Sequence, residues 1–185
     1  MRYRLVVMGA SLGGLNAMQV LLKSLPKDFA LPLAVVQHRD KDFVDTALPA
    51  LRAHSLLPLR EVDDKQAIEP GWVDFAPNDY HLLVDGDHYA LSVDELVNLA
   101  RPAVDVLFIS AAEALGPEVV GVILTGTGVD GAQGLQAIAA RGGLALVQDP
   151  ATAEAPGMPS AALACVPQAV VLPLEGIGPF LARLT

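Results

Sequence analysis

The chain has 185 residues, a net charge of −9, 52% hydrophobic residues and 18% charged residues. This length suits one domain spanning residues 1–185, and the acidic balance argues against nucleic acid as a partner, because nucleic-acid affinity comes from clustered lysine and arginine. Cys165 is the single cysteine, which excludes an intrachain disulfide and a multi-cysteine zinc site. No apolar run approaches membrane-spanning length and no secretory signal is visible, so we expect a cytoplasmic protein without membrane insertion.

Apolar runs alternate with helical patterns along most of the chain. Strands are predicted at residues 5–8, 34–37, 119–124, 144–148 and 169–172, and helices at residues 16–25, 105–115 and 135–140. This alternation is typical of βαβ units, and the high hydrophobic content is typical of parallel strands buried on both faces. We therefore expect an α/β fold with a doubly wound, mostly parallel sheet and helices on both faces.

One segment interrupts this alternation. Apolar runs at residues 72–75, 80–84 and 88–93 follow one another without a helical period, and Asp85-Gly86 separates the last two. Asp-Gly between alternating apolar runs is a strong signal for a β-hairpin. We expect an antiparallel hairpin at one edge of the sheet.

The first predicted strand ends in a glycine-rich turn that holds Ser11. Gly9 and Gly13 have the spacing of a nucleophile elbow, in which small residues let the chain bend sharply and expose a serine hydroxyl. The same turn also suits an anion bound at a helix N-terminus, or a serine that only caps the helix. The dinucleotide and P-loop patterns do not match, so these three interpretations remain.

A serine nucleophile needs a base at the same end of the sheet. His38 directly follows the second predicted strand, which most simply pairs beside the first. His54, His81 and His88 are weaker candidates, and their neighbours lack convincing metal-ligand spacing. We therefore expect no metal site.

Three carboxylates near strand ends are candidates to orient the histidine: Asp40, Asp130 and Asp149. Asp130 lies in a second glycine-rich turn after a strand, and the two turns face each other if the strand order reverses between them. Its other interpretation is a cap on the helix that begins near Gly131. Asp149 precedes Pro150, which favours a turn, and Asp40 is more consistent with a solvated position.

Several motifs together resemble the catalytic domain of the CheB chemotaxis protein-glutamate methylesterases, over nearly the whole chain. They are Gly9-Ala10-Ser11-Leu12-Gly13-Gly14, Gln37-His38, Ala76-Pro77, His81, the segment from Arg101 to Phe108, the segment from Thr125 to Ala132, and Gly157-Met158-Pro159. The resemblance implies the doubly wound α/β domain with an edge hairpin. It also implies a catalytic triad at Ser11, His38 and Asp130.

The activity implied by the resemblance is removal of methyl esters from glutamate side chains of bacterial chemoreceptors, with deamidation of receptor glutamines as a possible second reaction. No cofactor is implied, and the partners would be the methylated cytoplasmic helices of chemoreceptors. The backbone N–H groups of Leu12 and Thr127 would hold the oxyanion. An alternative from another class is a catalytically idle module of the same fold that binds an anion or a nucleotide.

The chain departs from the family pattern in three respects. Leu12 stands where threonine is common, and Thr127 stands where methionine is usual. Both changes keep the backbone donor and alter only a side chain. The chain also has no room for the receiver domain of the best-known members, so it is either a stand-alone enzyme or a trimmed one. The segment from Arg101 to Phe108 is explained by the start of a helix with an apolar face, and Arg101, beside the expected cleft, is also a candidate contact for an acidic receptor helix.

Overall fold

The computed structural model describes residues 2–38 and 47–185, and within these ranges the chain forms nine strands and six α-helices. The strands are Leu5–Ala10 (β1), Leu33–Gln37 (β2), Leu59–Glu61 (β3), Val73–Phe75 (β4), His81–Asp85 (β5), His88–Ser92 (β6), Val119–Ile123 (β7), Leu144–Gln148 (β8) and Val170–Leu172 (β9). The helices are Gly14–Ser24 (α1), Ala47–Arg52 (α2), Val104–Leu115 (α3), Ala132–Ala140 (α4), Gly157–Cys165 (α5) and Leu174–Ala182 (α6).

Seven strands form one parallel sheet in the order β3-β4-β2-β1-β7-β8-β9. Strand β1 lies at the centre and is buried at all six positions. It pairs with β2 on one side and with β7 on the other, so the predicted pairing of the first two strands is confirmed. The winding direction reverses between β1 and β7, and such a reversal opens a crevice at the carboxyl ends of the strands.

Helices cover both faces of this sheet, which confirms the predicted doubly wound architecture. One face packs against α1, α2 and α6, with Met18 and Ile177 among its buried side chains. The other face packs against α3, α4 and α5, with Phe108, Leu135 and Met158 among its buried side chains. Each face thus has its own hydrophobic core.

The predicted hairpin is confirmed, but it forms a separate two-stranded antiparallel sheet of β5 and β6 instead of extending the main sheet. It lies over α3, where the Val84 N–H donates to the Ser110 hydroxyl at 3.0 Å. The Tyr89 N–H donates to the Gln66 carbonyl at 2.8 Å. Val73–Phe75, which the sequence groups with the hairpin, is instead an inner parallel strand. The Asp-Gly signal specifies the turn locally, whereas the surface that the hairpin covers depends on distant packing.

Helices α2, α5 and α6 are not among the three helices predicted above from periodicity, and each contains a proline: Pro49 in α2, Pro159 in α5 and Pro179 in α6. Pro49 and Pro159 lie in the first turn of their helices, where proline is tolerated, whereas Pro179 lies inside α6 and carries a helix penalty. Burial of apolar residues outweighs this penalty, since Ile177 and Leu181 of α6 are fully buried. Within the part of the chain that the structure describes, no helix combines the length and the apolar character needed to cross a bilayer.

Helices α3 and α4 approach each other closely at Gly134. A Cβ atom there would collide with the Cβ of Phe108 and lie 3.2 Å from the Cα of Asp105. We expect Gly134→Ala to lower the free energy of unfolding by roughly 1–3 kcal/mol, because the two helices must move apart. Urea denaturation checks this value.

The matched control is Gly176→Ala in α6. A Cβ atom at Gly176 would have no neighbour closer than 3.6 Å. This substitution is expected to raise the free energy of unfolding by up to about 1 kcal/mol through helix propensity alone. A Gly134→Ala variant as stable as the control would contradict the close approach of α3 and α4.

Candidate active site

Ser11 lies in the tight turn between β1 and α1, at the crevice where the winding reverses. Its N–H donates to the Thr125 carbonyl at 3.0 Å, and its own carbonyl accepts from the Gly14 N–H at 2.8 Å. The same carbonyl accepts from Nε2 of Gln37 at 2.8 Å. Gly13 adopts a φ of 77°, a left-handed conformation that favours glycine. The backbone of Ser11 is therefore held between the ends of β2 and β7. Its hydroxyl makes no hydrogen bond to any described residue.

His38 directly follows β2, and its N–H donates to the Ala10 carbonyl at 2.9 Å. Its Nε2 lies 2.7 Å from Oδ2 of Asp130. An ionised carboxylate can only accept a hydrogen bond, so Nε2 carries the proton and Nδ1 carries the lone pair of the neutral ring. Among the described residues Nδ1 has no hydrogen-bond partner. His38 therefore offers a basic nitrogen to the cleft.

Asp130 is only 3% exposed, and its carboxylate accepts four hydrogen bonds. Oδ2 accepts from His38 and from the Val104 N–H at 2.7 Å. Oδ1 accepts from the Asp105 N–H at 3.0 Å and from Nδ2 of Asn98 at 2.9 Å. Burial alone would raise the pKa of Asp130, but these donors outweigh burial and lower the pKa below its ordinary value. The carboxylate is therefore ionised at neutral pH.

The interpretation of Asp130 as a cap of the helix near Gly131 is wrong. The N-terminus of α4 has no side-chain cap, whereas Asp130 accepts from the first two N–H groups of α3. A carboxylate at a helix N-terminus is stabilised by the free N–H groups and by the helix dipole. Asp130 thus ties α3 to His38.

Gly9 has a function that the elbow interpretation did not predict. A Cβ atom at Gly9 would collide with the Val104 side chain, whose Cγ2 would lie 2.8 Å away. The missing side chain lets the first turn of α3 lie directly against the end of β1. This close approach allows the N–H groups of α3 to reach Asp130.

The other two carboxylate candidates do not join this arrangement in the described structure. Asp149 accepts from the Ala151 N–H at 2.9 Å and begins a short 3₁₀ turn, as its position before proline predicted. Asp40 lies outside the described residues. Asp130 is therefore the carboxylate that contacts His38 in the part of the chain that the structure describes.

Both predicted oxyanion donors lie close to Ser11. Leu12 follows Ser11 in the chain, and Thr127 lines the same cleft as Ser11. Neither the Leu12 N–H nor the Thr127 N–H has a hydrogen-bond partner among the described residues. The Thr125 hydroxyl donates to the Leu12 carbonyl at 2.9 Å, and the Thr125 N–H donates to Oε1 of Gln148 at 2.8 Å. Free donors on a backbone held in this way suit an oxyanion hole.

Ser11, His38, Asp130 and Thr127 line one open cleft of about 920 Å³. Leu96, Leu99 and Val129 add exposed aliphatic side chains to its wall, and Leu99 is 93% exposed. A cleft of this kind admits a side chain presented by another macromolecule. Another cavity, of about 360 Å³ near Tyr3 and Pro32, has no serine, histidine or carboxylate among its lining residues.

Arg101 also lines the cleft, but its guanidinium is already engaged. Nη2 donates to Asp79 at 2.7 Å, and Nη1 donates to the carbonyls of Val93 at 2.8 Å and Asp94 at 3.0 Å. His81 is similarly structural, because Nε2 lies 3.0 Å from the Glu95 carbonyl. Among the described residues, no group of three His, Cys, Asp or Glu side chains is arranged to hold a metal ion.

Five polar residues of the site had no role assigned from the sequence, although the first three lie within the quoted motifs: Gln37, Asp105, Thr125, Asn98 and Gln148. Gln37 and Gln148 are 5% and 1% exposed, and each is the last residue of an otherwise apolar strand. A buried polar side chain needs a partner, so a glutamine at such a strand end was an available signal. Asn98 reaches Asp130 and Asp105 reaches Gly134 through contacts distant in sequence, and neither contact had a comparable signal.

The hydrogen bonds of Asp130 predict a pH-dependent contribution to stability. At pH 7, Asp130→Asn is expected to lower the free energy of unfolding by about 2 kcal/mol, because the amide weakens charge-assisted hydrogen bonds. The pKa of Asp130 is lowered on folding, so its contribution is present above the unfolded value of about 3.9 and is lost as the pH falls through the folded pKa below it.

Denaturation of wild type and Asp130→Asn from pH 7 to pH 2 measures this contribution. The stability difference should shrink as the pH falls below about 4. A difference that grows between pH 4 and pH 2 would contradict the ionised carboxylate.

A family model and similar proteins of other organisms point to the same family. Residues 6–181 match the model of the CheB methylesterase family. A putative protein-glutamate methylesterase/protein-glutamine glutaminase of Leptospira interrogans is 42% identical over 185 residues, covering 100% of this chain and 96% of that protein. A protein-glutamate methylesterase/protein-glutamine glutaminase of a Nocardioides species is 43% identical, and the match covers 98% of this chain but 50% of that protein.

The fold comparison agrees with the sequence comparison. The crystal structure of the Thermotoga maritima CheB methylesterase catalytic domain superposes with a TM-score of 0.94 at 33% identity, covering 99% of both chains. Several further relatives are about twice as long as this chain, which spans 50–55% of their length. The extent of the family match and the identity to these relatives show that the chain belongs to the CheB methylesterase family.

Proposed function

We propose that this chain is one catalytic domain, a serine hydrolase that removes methyl esters from glutamate side chains of bacterial chemoreceptors and releases methanol. The contact between His38 and Asp130 in the same cleft as Ser11 is the observation that carries the proposal. The names of the relatives support the reaction, since they combine glutamate methylesterase with glutamine glutaminase. The substrate glutamates would lie on cytoplasmic receptor helices, so the enzyme would act in the cytoplasm.

Ser11 is the proposed nucleophile. Its Oγ attacks the ester carbonyl carbon while Nδ1 of His38 accepts the hydroxyl proton. Asp130 orients the ring through Nε2 and stabilises the imidazolium that forms, without taking the proton itself. The N–H groups of Leu12 and Thr127 are the proposed donors to the oxyanion, each typically worth about 3 kcal/mol in the transition state.

The tetrahedral intermediate then breaks down to an acyl-enzyme, which water hydrolyses in a second stage. The bond between the carbonyl carbon and the methoxy oxygen breaks, and His38 delivers its proton so that methanol leaves. Water next attacks the acyl-enzyme, again with His38 as base, and regenerates Ser11 and a free glutamate. For a glutamine side chain the same steps release ammonia, so one site supports deamidation as well.

The resting structure fits this sequence of steps. The Ser11 hydroxyl is not hydrogen-bonded to His38, and contacts of this kind often tighten only when substrate is bound. The exposed side chains of Leu12, Leu96 and Leu99 would meet the surface of the receptor helix beside the ester. Because Arg101 is held by Asp79, we assign it to the cleft wall and not to receptor binding.

Substitution of each triad residue tests the proposal. Ser11→Ala, His38→Ala and Asp130→Ala should each lower methanol release from a methylated chemoreceptor fragment by about 10⁴-fold or more, because the three residues act as one unit. For the same reason, Ser11→Ala combined with His38→Ala should lose little more than either change alone.

Ser160→Ala is the matched control, since Ser160 is an exposed serine on α5 that does not line the cleft. Near-wild-type turnover in any triad variant would remove that residue from the mechanism. Absence of methanol release from wild type, together with tight binding of a nucleotide or anion, would favour the idle binding module instead.

A further inference from the structure

Asn98 joins two buried carboxylates beside the proposed triad. It belongs to the connecting loop, residues 93–103, between the hairpin and α3. Its amide Nδ2 donates to Oδ1 of Asp130 at 2.9 Å and to Oδ2 of Asp105 at 2.8 Å. An amide nitrogen has two donor hydrogens, and each of them has an acceptor here.

The other donors to Asp130 are of a different kind. Two are backbone N–H groups at the start of α3, and the third is His38 itself. Asn98 is therefore the side chain, apart from His38, that fixes the carboxylate among the described residues. Each carboxylate oxygen accepts one backbone N–H and one side-chain donor, and Asn98 is the side-chain donor to Oδ1 as His38 is to Oδ2.

Asp105 makes this bridge necessary. It is 5% exposed, its Oδ1 accepts from the Gly134 N–H at 2.7 Å, and its Oδ2 accepts from Asn98. Burial and then the nearby charge of Asp130 raise the pKa of Asp105. The carboxylates of Asp105 and Asp130 both accept from the Asn98 amide, so they are close enough to repel each other when charged. The shared donor offsets this repulsion. Without the amide, Oδ1 of Asp130 keeps only the Asp105 N–H as a donor among the described residues, and the repulsion from Asp105 favours rotation of the carboxylate away from His38 or binding of a proton.

The backbone at Asn98 suits this position. Its φ is 52°, a left-handed conformation that asparagine tolerates better than most residues. The connecting loop has further attachments, because Arg101 binds Asp79 and His81 contacts the Glu95 carbonyl. Removing the Asn98 side chain therefore leaves the connecting loop attached at other points.

We propose that Asn98 is a positioning residue of the hydrolytic reaction, which bridges Asp105 and Asp130 and so keeps Asp130 in place as the partner of His38. The inference rests on the proposed function. Asn98 acts through Asp130 and His38 and touches neither the ester nor Ser11.

Asn98→Gly is the sharpest test, because glycine readily adopts the left-handed backbone and removes the side chain that carries the amide. We expect kcat for methanol release to fall roughly 10- to 100-fold with KM changed by less than about 2-fold, since the loss lies in the orientation of Asp130. Asn98→Asp keeps the shape but replaces the donor with a third carboxylate. It should lose at least as much activity at neutral pH.

The matched control is Lys65→Gly, because Lys65 is an exposed residue with a φ of 63° that does not line the cleft. It carries the same backbone change and should keep wild-type kcat. Thermal unfolding of all variants separates loss of fold from loss of positioning. If Asn98→Gly does not fold, the comparison is made with Asn98→Asp.

A fluorophosphonate probe supplies a second readout, the rate at which Ser11 is phosphonylated. Asn98→Gly should slow this rate in the wild-type background and change it by less than about 2-fold in the Asp130→Ala background, because both changes remove the same interaction. Equal slowing in both backgrounds, or wild-type kcat in Asn98→Gly, would overturn the inference.

The two readouts separate the two proposals. Phosphonylation of Ser11 in wild type without methanol release would contradict the methylesterase function, while the labelling rates would still decide whether Asn98 positions Asp130.

Discussion

The ionised carboxylate of Asp130 lies where the end of β2, the start of α3 and the loop preceding α3 meet. Burying a charge is costly unless hydrogen bonds replace its water, and four donors do so here. Those donors come from His38, Asn98 and the first turn of α3. The position of the histidine, the docking of the helix and the path of the loop therefore depend on one another.

Two glycine residues allow helices to pack closely enough for these groups to meet at Asp130. Gly9 lets α3 lie against the end of β1, and Gly134 lets α4 lie against α3 beside Asp105. The sheet contributes the other constraint, because parallel strands β1, β2 and β7 deliver Ser11, His38 and the turn of Asp130 to one edge. The site is thus a product of the winding reversal and of where small residues allow helices to approach.

Much of this arrangement could be predicted from the sequence. The central strands, helices α1, α3 and α4 and the hairpin turn follow from periodicity and local turn chemistry, and the structure confirms them. The sequence also placed Ser11, His38 and Asp130 at one edge of the sheet, while their catalytic roles stay predictions. Local patterns did not predict three other features, because these depend on contacts distant in sequence. They are the location of the hairpin over α3, the proline-containing helices and the contact of Asn98 with Asp130.

The most direct test of the account is the position of the proton on His38. NMR of ¹⁵N-labelled imidazole at a pH where the ring is neutral distinguishes a protonated Nε2 from a protonated Nδ1. We expect a proton on Nε2, held by Asp130, with the Nδ1 lone pair available to Ser11, and a shifted Nε2 resonance in Asp130→Ala, where the hydrogen bond to the carboxylate is lost. A proton on Nδ1 in wild type would contradict the orientation of His38 and, with it, the proposed route of the Ser11 proton.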